Sequence, residues 1–172
     1  MSGGQFFRGA VLDLVDPRVK LSPVLARLAS SRTLKSGILL FWALYFSLVT
    51  LTNLLDALRA IGALPQGWTL ASGNYALLVK VTAVHGTPTV IAGVLFLGVI
   101  AWEALAAGFF WRAWATRVRR VTHIAFTLGL ALWAAFVLAD ELFVAYTLGP
   151  THLRLFGLQL LCLIGLRLLP DD

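Results

Sequence analysis

Four apolar stretches constrain this chain more than anything else in it. They run over residues 37–58, 88–111, 121–146 and 151–169. Crossing a hydrocarbon core of about 30 Å takes about 20 helical residues, and each stretch is close to or beyond that length. Inside a bilayer the backbone has no water to bond with, so a spanning segment must satisfy its own N–H and C=O groups, which a helix does. The expected fold class is therefore all-α, an integral membrane four-helix bundle. Composition agrees, with 59% hydrophobic residues, 13% charged residues and a mean hydropathy of +0.86.

Basic residues are spread unevenly around these stretches. Arg8, Arg18, Lys20, Arg27, Arg32 and Lys35 precede the first, Arg112, Arg117, Arg119 and Arg120 separate the second from the third, and Arg167 closes the fourth. The opposite side holds Arg59, Lys80 and Arg154, so the count is eleven against three. By the positive-inside rule both termini and the Arg-rich loop are expected in the cytoplasm, with the chain multi-pass in the cytoplasmic (inner) membrane. This asymmetry also accounts for the formal charge of +6. It points to the lipid bilayer and to anionic headgroups on the cytoplasmic side as partners. Nucleic acid is not expected, since no recognition motif or soluble basic surface is visible.

The chain divides into an arm over 1–35 and a transmembrane domain over 36–172. In the arm, apolar residues at helical spacing alternate with Arg, Lys and Asp, which reads as an N-terminal amphipathic segment on the cytoplasmic surface or a docking arm for a partner. No apolar core with a small-residue cleavage site opens the sequence, so a secretory signal is not expected. Between the first two spans, residues 72–86 are apolar but too short to cross, and are expected to cap the outer end of the bundle. Thr87 and Pro88 suit a helix start as N-cap and first helical residue, and Pro150 places His152 in the first turn of the fourth span. Trp42, Trp68 and Trp111 are expected as interfacial anchors. Glycines within the spans, among them Gly93, Gly108, Gly129 and Gly157, are expected to permit close helix approach. Cys162 is the single cysteine, so no intrachain disulfide can form.

Of eight acids, four lie toward the termini, and Asp56, Glu103, Asp140 and Glu141 all fall inside the spans. Ionisable groups at such depth face a bundle interior or mark a functional site. Counting about 1.5 Å per residue from the basic boundary of each helix separates two layers. The outer one contains Asn53, Asp56, His85, Asp140, Glu141, His152 and Arg154. A thinner inner one contains Glu103, Tyr45, Thr127 and Gln159, with His123 nearer the cytoplasmic edge.

Two imidazoles and three carboxylates are ligand types that suit a transition metal, so His85, His152, Asp56, Asp140 and Glu141 form a candidate metal set. No HExxH or ExxH spacing organises them. The competing reading is an ion-pair network in which Arg59, Lys80 and Arg154 balance Asp56, Asp140 and Glu141. An axial pair for haem b from His85 and His152 is a narrower alternative, disfavoured by their position at the heads of two helices. A route from the outer layer through Glu103 to His123 would suit a small proton or ion transporter, although no inverted repeat or broken helix is present. No GxSxG or comparable catalytic signature appears, so enzymatic activity is not the favoured reading. The leading expectation is an accessory or structural subunit of a larger membrane complex, associated with other membrane subunits or with copies of itself.

Overall fold

A computed structural model describes residues 30–170, and the expected amphipathic arm lies almost wholly outside them. Among the described residues there are five α-helices: α1 (Ser31–Ala60), α2 (Asn74–Thr82), α3 (Thr89–Thr116), α4 (Arg119–Leu142) and α5 (Gly149–Leu168). A single 3-10 turn, Ala83–His85, follows α2. Four of them, α1, α3, α4 and α5, are long and apolar enough to cross a membrane. The all-helical four-span reading therefore stands, and α2 with its 3-10 turn occupies the segment expected to cap one end.

Helix ends depart from the expected spans where hydropathy and backbone chemistry disagree. The first helix begins at Ser31, six residues before the apolar stretch, because Ser30 caps it: its hydroxyl accepts from the Thr33 N–H at 3.2 Å, and Arg32 and Lys35 are sound helix formers despite their charge. Pro88, not Thr87, is the N-cap of α3, so that helix starts one residue later than expected. The same helix continues to Thr116 and closes on Arg117 in the left-handed region at φ 55°. The fourth helix stops at Leu142 instead of 146. Val144 takes φ 55°, and the Ala145 N–H donates to the Asp140 carbonyl at 2.7 Å, so the chain turns sharply into α5.

The helices pack in chain order, α1 on α3, α3 on α4 and α4 on α5, with α2 resting on α3 and α1. Lipid tails are as apolar as leucine, so association rests on close packing and on interhelical hydrogen bonds. Alanines supply the close approach: Ala43, Ala106, Ala113 and Ala125 are all fully buried. An aromatic stack fills the space between. Phe46 lies parallel to Phe110 at 5.6 Å and to Trp133 at 5.8 Å, while Phe126 meets Phe110 edge-on at 5.1 Å. Such pairs contribute about 0.5–1.5 kcal/mol each beyond area burial.

Two indoles tie helices together by hydrogen bonds. Trp111 donates to the Ser47 hydroxyl of α1 at 3.0 Å, and Trp102 donates to the Leu128 carbonyl of α4 at 3.0 Å. Trp42 is not an interfacial anchor: it is fully buried beside Phe110 in the core. Among the span glycines, a Cβ at Gly129 would overlap the Gln159 amide, whereas one at Gly98, Gly108, Gly157 or Gly165 would meet nothing. Close approach thus depends on one glycine rather than on a set. The fifth helix is the least enclosed; in the most apolar window of each spanning helix, 28–33% of residues are buried in α1, α3 and α4 but 6% in α5.

Candidate functional site

Helix polarity brings the ends of α1, α3, α4 and α5 into two groups. One end carries Arg32, Lys35, Arg112, Arg117, Arg119, Arg120 and Arg167. The other carries α2, the turn after α4 and most of the intramembrane polar residues. Asn53, Asp56 and Asp140 toward this end and Glu103 at the middle of α3 are 2–5% exposed. They sort into three networks, the first two linked where the Asn74 N–H donates to the Ser72 hydroxyl at 3.2 Å.

The first network joins three helices. Asn53 and Asp56 share a face of α1 through their i, i+3 spacing, and that face turns inward. The Asn53 amide donates to both carboxylate oxygens of Glu103 on α3, at 3.0 and 2.9 Å. In turn its carbonyl accepts from the Asn74 amide of α2 at 2.8 Å. Asn74 opens α2 and can reach inward because Gly73, at φ 79°, turns the chain just before it. The two-layer reading is corrected here. Glu103 pairs with Asn53, assigned to the outer layer, and not with Thr127 or Gln159. Phe110 stacks on Phe46, and counting up α1 and α3 from that contact brings Asn53 within reach of Glu103; counting from basic boundaries misjudged the stagger. Tyr45 is half-buried among Trp42, Phe46 and Trp133, near enough to Glu103 for the two to interact electrostatically.

Asp56 anchors the second network. Its Oδ1 accepts from Arg59 at 2.5 Å, and its Oδ2 accepts from the Tyr75 backbone N–H at 2.8 Å and the Ser72 hydroxyl at 3.3 Å. A buried carboxylate is tolerable in these surroundings because one guanidinium and two donors share its charge. The same bonds pin the start of α2 to the end of α1, so Asp56 acts as the fastener of the capping segment.

The third network lies at the α4–α5 turn. His152 donates from Nδ1 to Asp140 Oδ2 at 2.6 Å, with its ring against Phe136 at 4.9 Å and parallel to Trp133 at 6.5 Å. Asp140 therefore partners His152 and not Arg154, which is exposed on α5. Glu141, about 100° further around α4, is also exposed. His85 donates from Nε2 to the Leu142 carbonyl at 2.8 Å, fastening the 3-10 turn to the end of α4.

Of the five candidate metal ligands, Asp140 and His152 are brought together, while Asp56 and His85 are engaged elsewhere and Glu141 points away. Among the described residues no group of three or more His, Cys, Asp or Glu is placed to hold a metal ion. Of the groups in the ion-pair network expected from Arg59, Lys80, Arg154, Asp56, Asp140 and Glu141, Asp56 and Arg59 are paired among the described residues.

One feature escaped the sequence. Gln159 is fully buried against Gly129, and neither atom of its amide has a hydrogen-bond partner among the described residues. His123 stands near Arg119 and Arg167 at the basic end, away from Glu103's network. A glutamine opposite a glycine of the preceding helix carries no local signature, so only the folded packing reveals it.

Set beside known proteins, the chain matches no protein-family model, no curated protein and no solved structure. The four long apolar helices are compatible with one class, a small multi-pass helical membrane protein.

Proposed function

We propose that this protein is an accessory, structural subunit of a larger membrane complex, oriented with its basic end in the cytoplasm and its capped polar end outside. The observation that carries this reading is the closure of the polar end. Asn53, Asn74 and Glu103 bond one another, Asp56 is held by Arg59, Ser72 and Tyr75, and Asp140 is held by His152. Groups committed in this way fix helix positions and leave little for substrate. Such networks, with the aromatic stack, make a stiff frame, and α5 offers most of its surface outward from that frame. The seven basic residues at one end support the orientation.

Purification of the full chain from its own membrane in mild detergent, followed by mass spectrometry, tests the proposal. A stoichiometric membrane partner is the expected result. A chain that runs alone and keeps a single-chain mass in two unrelated mild detergents contradicts it.

One observation favours a second reading. Glu103 sits at the middle of a 28-residue spanning helix and has no cationic partner among the described residues, and intramembrane carboxylates of that kind serve proton pathways. On this reading the protein moves protons, and Glu103→Gln abolishes flux across reconstituted liposomes; equal flux in wild type, variant and empty liposomes rejects it.

A further inference from the structure

The basic end contains a cavity of about 450 Å³ whose chemistry the polar networks at the opposite end do not share. Arg32 of α1, Arg117 and Arg119 at the α3–α4 junction and Arg167 of α5 all line it together with Lys35, and among the described residues no carboxylate does. Four arginines converging on one hollow repel one another, an arrangement that an anion relieves. The N-terminus of α4 opens at the same place. Arg119 and Thr122 line the cavity, and Val118 gives the helix no side-chain cap, so first-turn N–H groups add to the positive field.

The floor has the opposite character. Leu39 of α1 with Leu163 and Leu166 of α5 form it, and these lie within the apolar spans. The first and fifth helices both line the cavity without packing closely on one another, so among the described residues a seam separates them there. A ligand fitted to both parts carries a compact anion on an apolar tail.

We propose that this cavity binds the phosphate of an anionic phospholipid, with the arginines around the headgroup and an acyl chain along the leucines of the α1–α5 seam. Planar guanidinium groups match phosphate oxygens in pairs. The inference stands apart from the accessory-subunit reading, since a lipid can hold α1 to α5 in a lone chain as well as in a complex.

Native mass spectrometry of the detergent-purified full chain, offered equal amounts of phosphatidylglycerol and phosphatidylcholine, tests it. The expected result is preferential retention of phosphatidylglycerol, and a loss of that preference by about tenfold or more in the double variant Arg119→Gln with Arg167→Gln. Arg119→Lys with Arg167→Lys keeps part of the preference, and Lys80→Gln with Arg154→Gln at the other end leaves it intact. Should the double glutamine variant fail to fold, the wild-type chain still decides, because a preference set by these cations falls as sodium chloride is raised. Equal uptake of both lipids, or a preference insensitive to salt and to the variants, overturns the proposal. Displacement of phosphatidylglycerol by millimolar inorganic phosphate also overturns it, in favour of a soluble phosphate compound.

Discussion

At the scale of single residues, the protein's expensive groups are made tolerable one partner at a time. Glu103 depends on a single side chain, Asn53, for both of its hydrogen bonds, so Asn53→Ala leaves a buried carboxylate unsatisfied. The expected cost is about 1–3 kcal/mol, read by unfolding in mixed micelles containing sodium dodecyl sulfate. In a Glu103→Gln background the same substitution costs less, and the difference is the coupling between the two. Additive losses reject the pairing. Gln159 presents the reverse case. Its buried amide makes no hydrogen bond among the described residues, so Gln159→Met, which keeps the unbranched shape and removes the polar atoms, raises stability by about 1 kcal/mol in the same assay. A fall in stability means that the amide has a partner outside the described residues.

At the scale of elements, short polar fasteners decide how the spanning helices are joined. Asp56 fixes α2 to α1, His85 fixes the following turn to α4, and His152 with Asp140 fixes α5 to α4. The α4–α5 turn also contains a strained position, since Val144 is β-branched and sits at φ 55°. That conformation costs a branched residue about 1–2 kcal/mol, and glycine returns part of the gain through its greater unfolded freedom. Val144→Gly is therefore expected to raise stability by about 0.5–1 kcal/mol, with Val144→Ile neutral or worse. The spanning helices were legible in the sequence because 20-residue apolar runs have few other fates. Helix ends were less so, because a capped, charged turn such as Ser30–Lys35 lowers hydropathy without ending a helix. The pairing of Asn53 with Glu103 was not legible, since it depends on the stagger of α1 against α3, and stagger is set by aromatic packing at Phe46 and Phe110. The metal set drew together residues that share a depth but face different neighbours; depth follows from sequence, while azimuth around the bundle does not.

For the whole molecule, charge and polarity are divided between two ends. One end is basic and holds an anion-shaped hollow, and the other is closed by α2 and by three hydrogen-bonded networks. The proposed orientation, with the basic end facing the cytoplasm, follows from the excess of arginine there by the positive-inside rule. Cysteine labelling tests this most directly. In a Cys162→Ser background, single cysteines are placed at exposed Gly67, in the loop before α2, and at exposed Val118, between α3 and α4. Intact cells are then treated with a membrane-impermeant maleimide. The account predicts labelling of Gly67→Cys from outside and of Val118→Cys only after the membrane is opened. Labelling of Val118→Cys in intact cells, with Gly67→Cys protected, would contradict it.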